Sequence, residues 1–447
     1  MCRGRPSSGA GERAHHQSDV SGRVGGKQAD WGRMRIWIFN HYASPPDRAA
    51  GTRHYDLGRV LAAQGHEVII FASSFSHFSR REERLAPGQR IRIEDTDGVR
   101  FVWLRTTAYS RNDYRRVVNM LSYAIRASWA QRRMRRPDVV VGSSVHLAAV
   151  AAAWLVALCR RAVFVFEVRD LWPQTLIDMG ALREGGATAR LLQAAELFFY
   201  QRARTVICLL PHGADYIASR GIPRSKVVYV PNGIADDRVE ISAPDQSAEL
   251  VNRINEWRTG GYLIAGYVGS HGSVNGVSDL VKAARELRDR GENSMAFVLV
   301  GDGPEKEACQ RLAGQYGLEN VLFWPPVPKR EVRAVLEAVD VLIFCVRDVA
   351  VHSYGLSCNK LFDYLASGRP VVFASGVADG PVHESGGGIC VPAESPADLA
   401  EAMITLVRLG EAERRAIGQL GRAWVYQHHG TTALAGQFLQ AMTAARP

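Results

Sequence analysis

Asn359-Lys360-Leu361-Phe362-Asp363-Tyr364-Leu365-Ala366-Ser367-Gly368-Arg369-Pro370 runs directly into Val371-Val372-Phe373. The order of residue types predicts a polar loop closing on a short helix, a Gly stop at 368, a Pro that cannot continue the helix, and a buried strand. The start of such a helix presents unpaired backbone N–H groups and a partial positive charge. Lys360 adds a full charge there, and Asp363 follows one turn further in. A diphosphate joined to a ribose suits that combination of cation, amides and carboxylate.

Working outward, the same strand-and-helix grammar fills the chain. Ile36 to Phe39 is followed by a helix from about His54 to Gln64, a Gly65 stop, and Val68 to Ala72. The alternation recurs through Val163 to Val168, Val206 to Leu209 and Val227 to Val230. After a polar stretch from Ala235 to Gly261 it restarts at Leu263 to Val268. In the helix that follows, Val277, Leu280, Val281, Ala284 and Leu287 share one face. Phe297 to Val300, Val321 to Trp324 and Val341 to Phe344 precede the strand at Val371. Such alternation implies an α/β fold with parallel sheets covered on both faces. Two Rossmann-like domains, 34–240 and 241–430, and a last helix within 431–447 are expected. Ligands in open α/β sheets sit beyond the carboxyl ends of the strands, so two facing sheets would make one cleft.

A chain of 447 residues exceeds what one core usually serves. At 47% hydrophobic and 22% charged it is ordinary globular material. Its seven Cys are scattered without a C-x-x-C pair, which points to a reducing compartment and away from structural zinc. The first 33 residues hold seven Gly and four Ser without apolar periodicity and read as a disordered tail; Met34, just before the first strand, is an alternative start. Val139 to Cys159 carries no formal charge and has the length of a membrane span, but Gly142-Ser143-Ser144 breaks it into a strand and an Ala-rich helix. The stretch from Arg111 to Arg136 has eight Arg against one Asp, within a net charge of +10. Tyr114, Val117, Val118, Leu121, Ile125 and Trp129 fall on one face of that helix. A basic amphipathic helix suits an anionic membrane surface, with Arg132, Arg133, Arg135 and Arg136 as the docking charges. The bland alternative packs the apolar face on the sheet. No recognition motif supports nucleic acid as a partner.

Several loops at strand ends carry chemistry. The loop from Asn40 to Arg53 is long enough to be functional; Gly51 would let backbone approach a phosphate and Arg53 could grip an anion. Glu167-Val168-Arg169-Asp170-Leu171-Trp172-Pro173 leaves a buried strand with more polar groups than core duty requires, although Glu167 and Arg169 could simply pair. Gly269 to Gly276 joins a strand to a helix, and Gly301-Asp302-Gly303-Pro304 is a strand-exit turn. Asp95-Thr96-Asp97 looks like a metal-binding D-x-D, but Asp97-Gly98 lies between alternating strands and reads as a hairpin turn, so no metal is expected.

The run from Asn359, with Arg169-Asp170-Leu171-Trp172-Pro173 and Gly301-Asp302-Gly303-Pro304, resembles the family 4 retaining glycosyltransferases. The likeness is strongest to a bacterial branch related to L-fucosamine transferases of surface-polysaccharide synthesis. The resemblance implies the GT-B fold, with the acceptor held by the first domain, the donor by the second, and the last helix crossing back. It implies a nucleotide-sugar donor, UDP-linked and N-acetylated, contacted by Ser357, Asn359, Lys360, Asp363, Gly269, Ser270, Gly303 and the backbone at Val327. Asp170 and Arg169 would stand at the reacting carbon, and Gly51 and Arg53 near the diphosphate. It further implies no cofactor, a polyprenyl-diphosphate-linked saccharide as acceptor, and a cytoplasmic enzyme peripheral to the inner membrane face. The chain departs from the family in having Ser270 and Asn275 where an Arg and a Lys are usual, and Gly355 where a second carboxylate is usual. Two other readings stay open: a UDP-N-acetylglucosamine 2-epimerase-like isomerase, and a non-catalytic nucleotide-sugar-binding subunit.

Overall fold

Short runs rich in Val, Ile and Phe, buried on both faces in the inner strands, form the two sheets of the molecule. The structure is a computed structural model and describes residues 32–47, 51–77, 79–111, 113–144, 146–236, 247–377 and 380–444. The tail up to residue 31 and the expected joint near 240 lie outside the described residues.

The first sheet contains β1 (Arg35–Phe39), β2 (Glu67–Ser73), β3 (Ile91–Thr96), β4 (Val99–Leu104), β5 (Val139–Ser143), β6 (Val163–Val168), β7 (Thr205–Cys208) and β8 (Val227–Tyr229). Their order is β3-β4-β2-β1-β5-β6-β7-β8, parallel except for the β3–β4 hairpin. Asp97 and Gly98 turn that hairpin with φ of +49° and +80°, the left-handed pair a two-residue turn requires. The carboxylates of the D-x-D serve the turn's surroundings: Asp95 pairs with Arg100 at 3.1 Å, and Asp97 accepts from the Tyr55 hydroxyl.

The second sheet contains β9 (Leu263–Val268), β10 (Met295–Val300), β11 (Val321–Trp324), β12 (Val341–Cys345), β13 (Val371–Ala374) and β14 (Gly388–Val391). Its order is β11-β10-β9-β12-β13-β14, with every pair parallel.

Helices α1 (Arg53–Ala63), α2 (Tyr114–Ala130) and α3 (Leu147–Arg160) cover the first sheet. The apolar stretch from Val139 to Cys159 resolves into β5 and α3, and no described helix is long and apolar enough to cross a membrane. Helix α2 departs from ordinary packing. Asn119, Tyr123 and Ala127 are its buried residues, whereas Tyr114, Val117, Val118, Leu121, Ile125 and Trp129 are each 44% to 70% exposed. The apolar face points to solvent, and the inward alternative fails because a polar-led stripe, fixed by Asn119 bonding to Thr106 and Thr107, faces the sheet instead.

Helix Thr431–Thr443 returns to the first domain, where Leu434, Ala435, Phe438 and Met442 join one core with Tyr55, Leu57 and Leu61 of α1. Its entry is tied by Ile234 N–H to the His429 carbonyl at 2.9 Å. The loop before helix Asn359–Ala366 meets the first domain where the Asn232 amide donates to the Ser357 carbonyl at 2.8 Å. The His212 N–H donates to the Tyr354 carbonyl at 3.1 Å. The carboxyl ends of both sheets therefore border one cleft.

Candidate active site

The second-domain half of the cleft is built around Lys360, at the start of helix Asn359–Ala366. That helix has no side-chain cap at Cys358, so no capping side chain takes up its first amides. The Lys360 ammonium donates to Asn275 Oδ1 at 2.9 Å and to the Tyr267 hydroxyl at 3.2 Å. It lies over the Tyr267 and Phe344 rings, 5.2 and 5.1 Å from their centroids. Burial lowers its pKa to about 8. Gly269 packs directly against it: a Cβ there would stand 2.6 Å from Lys360 Cδ and would displace the lysine stem. Ser270 is exposed at the lip of this loop, and its carbonyl accepts from Tyr267 at 2.6 Å and Asn275 at 2.9 Å.

The Gly301-Asp302-Gly303 turn packs on the same loop. A Cβ at Gly303 would stand 2.5 Å from the His271 carbonyl oxygen, and the His271 N–H donates to Asp302 O at 2.8 Å. Gly303 thus shapes the loop by close backbone approach. Asp363, half-buried, is held by Lys329 at 2.5 Å, and Val327 lies half-buried two residues before that lysine. Asn359 is exposed at the helix start. Ser357 faces the first domain, its hydroxyl accepting from the Asn232 N–H at 3.1 Å. Gly355 has φ +93° and the Pro211 Cγ only 2.3 Å from where a Cβ would lie, so a carboxylate-bearing side chain here would strain the backbone and push against Pro211.

Across the cleft, Glu167 at the end of β6 is fully buried and accepts from Arg53 Nε at 2.9 Å and His54 Nε2 at 2.7 Å. Burial by itself would raise its pKa, but the His54 and Arg53 contacts hold it well below the usual carboxylate range. His54 is lowered by burial, which suits a neutral ring receiving Asn40 Nδ2 on Nδ1 at 2.8 Å. Arg53, expected to grip an anion, is turned into the protein instead. Besides Glu167 it donates to the carbonyls of Val230 and Pro231, because a buried glutamate and a strand end require its N–H groups. The arginine that does reach the loop is Arg169, whose guanidinium lies 3.7 Å from where a Gly51 Cβ would be. Residues 48–50 of that loop lie outside the described residues. Arg169 makes no ion pair within salt-bridge distance among the described residues, so the pairing with Glu167 considered from sequence is taken by Arg53. Asp170 presents exposed surface deep in the cleft, where the surrounding protein displaces enough water to raise its carboxyl pKa; Arg169 opposes that shift. Its charge also reaches the Cys358 thiol in the opposite domain.

Arg132, Arg133, Arg135 and Arg136 are exposed where α2 turns toward β5. Arg132 lies over the Trp129 ring at 3.5 Å, and Arg136 donates to the Arg161 carbonyl. Sequence reasoning missed Tyr267 and Lys329, and also His41, His77 and His146. The three histidines carried one usable signal, since each closely follows the carboxyl end of a strand.

Two family models match the chain: a glycosyl transferase 4-like domain over residues 48–233 and a glycosyl transferases group 1 domain over 263–408. With the two facing sheets, these define a glycosyltransferase of the GT-B type. The chain is 25% identical over 387 residues to a protein of Escherichia coli K12 named for colanic acid biosynthesis, the glycosyl transferase WcaI, covering 84% of this chain and 91% of that one. Its fold is similar to sucrose-phosphate synthase of Thermosynechococcus elongatus, with a TM-score of 0.67, 18% identity, and coverage of 93% and 100%. It is similar also to HepE of Anabaena, solved with UDP and glucose, with a TM-score of 0.64, 13% identity, and coverage of 92% and 100%.

Proposed function

We propose that this glycosyltransferase is a retaining, metal-independent enzyme that moves an N-acetylated amino sugar from a UDP-linked donor to a polyprenyl-diphosphate-linked saccharide. The observation that carries the donor half is the Lys360 ammonium, held by Asn275 and Tyr267 against Gly269 with no carboxylate pairing with it among the described residues. The similar Anabaena structure, solved in complex with UDP and glucose, supports a nucleoside diphosphate as the guest. The diphosphate would sit on Lys360, the amides of helix Asn359–Ala366 and the Gly269–Ser270 turn, while Asp363 accepts from the ribose and the Val327 backbone meets the base. Arg169 would face the leaving phosphate. The acceptor oxygen attacks the anomeric carbon on the face the phosphate leaves, and its proton passes to the departing phosphate oxygen. This route needs no strong protein base, which agrees with Glu167 being locked onto Arg53 and His54. Asp170 orients the sugar from the opposite wall.

The exposed apolar face of α2, flanked by four exposed arginines, supports docking on the anionic inner face of a membrane. That position favours transfer to a lipid-linked acceptor in surface-polysaccharide synthesis over isomerisation of a UDP-sugar. Incubation with labelled UDP-sugars and a lipid extract tests the reading. Label in lipid supports it, a new UDP-sugar indicates an epimerase, and an unchanged donor indicates a binding subunit.

A further inference from the structure

The first domain holds a cavity of about 200 Å³ beyond the carboxyl ends of β1 and β2. Five serines line it, together with Tyr42, His77, Glu83, Arg84 and Trp103. Two of its walls are fixed by packing. The Arg84 guanidinium lies over the Trp103 ring, 4.6 Å from the centroid, and donates to both Asp47 oxygens at 2.8 and 2.7 Å. Those bonds leave the other N–H groups of the fork unbonded among the described residues. Opposing this clamp in composition is a pile of rings, in which Tyr42 stacks on His41 at 4.5 Å and His41 on Tyr123 of α2 at 4.5 Å. His146 Nε2 donates to His41 Nδ1 at 2.7 Å because His146 Nδ1 takes the Ala149 N–H at 3.2 Å, which holds the pile in place. The His77 ring stands 5.4 Å from that of Tyr42. Arg84 is the one cation among the described lining residues, and Asp47 already balances it; Glu83, which accepts from Ser79 at 2.5 Å, adds a negative charge. Burial lowers the pKa of His41 and of His77, so both imidazoles are neutral. An anion therefore meets no net positive charge in this lining. A neutral guest rich in hydroxyls meets serines that both donate and accept, a carboxylate, spare guanidinium N–H groups and aromatic carbon.

We infer that this cavity is a subsite for an uncharged sugar ring of the acceptor, the ring next to the one that is attacked, gripped by Tyr42 and Arg84. The inference rests on the proposal that the first domain receives the acceptor, and it adds the part of the acceptor recognised and the residues that recognise it. Its position fits. The strands run β2-β1-β5-β6, and β6 leads into the Arg169–Asp170 wall. The cavity at β1 and β2 is thus two to three strand spacings from that wall, roughly 10–14 Å. That is further than one sugar ring spans, so the attacked sugar lies at the wall and its neighbour reaches the cavity.

The test follows transfer of labelled sugar from UDP-sugars as the amount of lipid extract is varied, with UDP affinity and melting temperature measured alongside. Tyr42→Ala and Arg84→Gln should each need at least about tenfold more extract for half-maximal transfer, while UDP binds as it does to wild type. Tyr42→Phe, which keeps the ring, should stay within about threefold of wild type. If Arg84→Gln melts early, Arg84→Lys takes its place, since it keeps a charge for Asp47 and loses the fork. Unchanged half-saturation in folded Tyr42→Ala and Arg84 variants, while wild type transfers, overturns the subsite and leaves the transferase reading standing. Absence of transfer by wild type ends the transferase reading instead, and the subsite is then decided by saturation-transfer NMR with the methyl glycosides of glucose, galactose and N-acetylglucosamine in the presence of UDP. Saturation of at least one of these rings, lost in Tyr42→Ala and the Arg84 variant, supports the subsite. No saturation of any, or a signal abolished by an equal concentration of inorganic phosphate, overturns it.

Discussion

UDP affinity should fall about tenfold between pH 7 and pH 9, and Lys360→Met should remove that dependence. Lys360 is nearly enclosed by Tyr267, Phe344 and Gly269, with only neutral oxygens to accept from it, and burial brings its pKa down to about 8. The charged fraction of the free protein's lysine then drops from about 0.9 at pH 7 to about 0.1 at pH 9. A diphosphate stabilises the ammonium, so binding above pH 8 must take up a proton. The tenfold change in charged fraction costs about 1.4 kcal/mol of apparent binding energy. The sign for folding is opposite. The folded state binds this proton less tightly than the unfolded chain, so Lys360 makes stability rise as pH increases from about 8 toward the ordinary lysine value near 10.4. Calorimetry in two buffers of different ionisation enthalpy measures the proton uptake directly. A flat affinity profile in wild type, or a slope that survives in Lys360→Met, would refute the placement of the diphosphate on this lysine. At pH 7 the substitution itself should weaken binding by about 1.5–3 kcal/mol, the range for hydrogen bonds to charged groups.

Asp363→Ala should weaken UDP binding and Asp363→Asn should do so less, since the amide retains one acceptor oxygen; unchanged affinity in Asp363→Ala would remove the ribose contact. Gly355→Asp, which supplies the carboxylate the family usually has, should destabilise the fold by about 1–3 kcal/mol, because φ is +93° and Pro211 occupies the Cβ position. An unchanged denaturation midpoint would show that the loop yields. Changing Arg132, Arg133, Arg135 and Arg136 to Gln should abolish sedimentation with anionic vesicles and spare UDP binding, each arginine contributing about 1 kcal/mol near such a surface. Wild type that ignores those vesicles at low salt would end the docking proposal. Transfer should persist in excess chelator; loss restored by magnesium or manganese would require a metal.

The fold was legible because it depends on local rules. The Gly stops at 65 and 368 have φ of +92° and +74°, and Asp97-Gly98 turns a hairpin, as their residue types dictate. Periodicity also grouped the apolar residues of α2, but a period marks a face without saying what covers it. Tertiary context decided that Asn119 and Tyr123 go in and that Leu121 and Trp129 stay out. The two arginines near Glu167 show the same limit. Sequence placed Arg53 and Arg169 at loop ends beside one sheet edge, and only the path of α1 determines that Arg53 is the buried partner. Lys329 and Asp363 are separated by 34 positions and meet through two different connections, a contact that no local spacing encodes.

The departures from the family loop become coherent in three dimensions. Where the resemblance implies a lysine, Asn275 instead offers its Oδ1 to Lys360 at 2.9 Å and its Nδ2 to the Ser270 carbonyl at 2.9 Å. A lysine at 275 would set two ammonium groups against each other in a site already dry enough to lower one of them to a pKa of about 8. Asparagine therefore lets a single cation rest in the loop, shaped by Gly269 and held ready by Tyr267. Gly355 is demanded by Pro211 of the opposite domain, so the lost carboxylate follows from the close contact that draws the domains together. With one cation in this loop and one fewer carboxylate, the proposed donor wall has exchanged charge for packing. Its affinity should consequently respond to pH through Lys360 more steeply than a wall with an unburied arginine, whose charge does not titrate in that range.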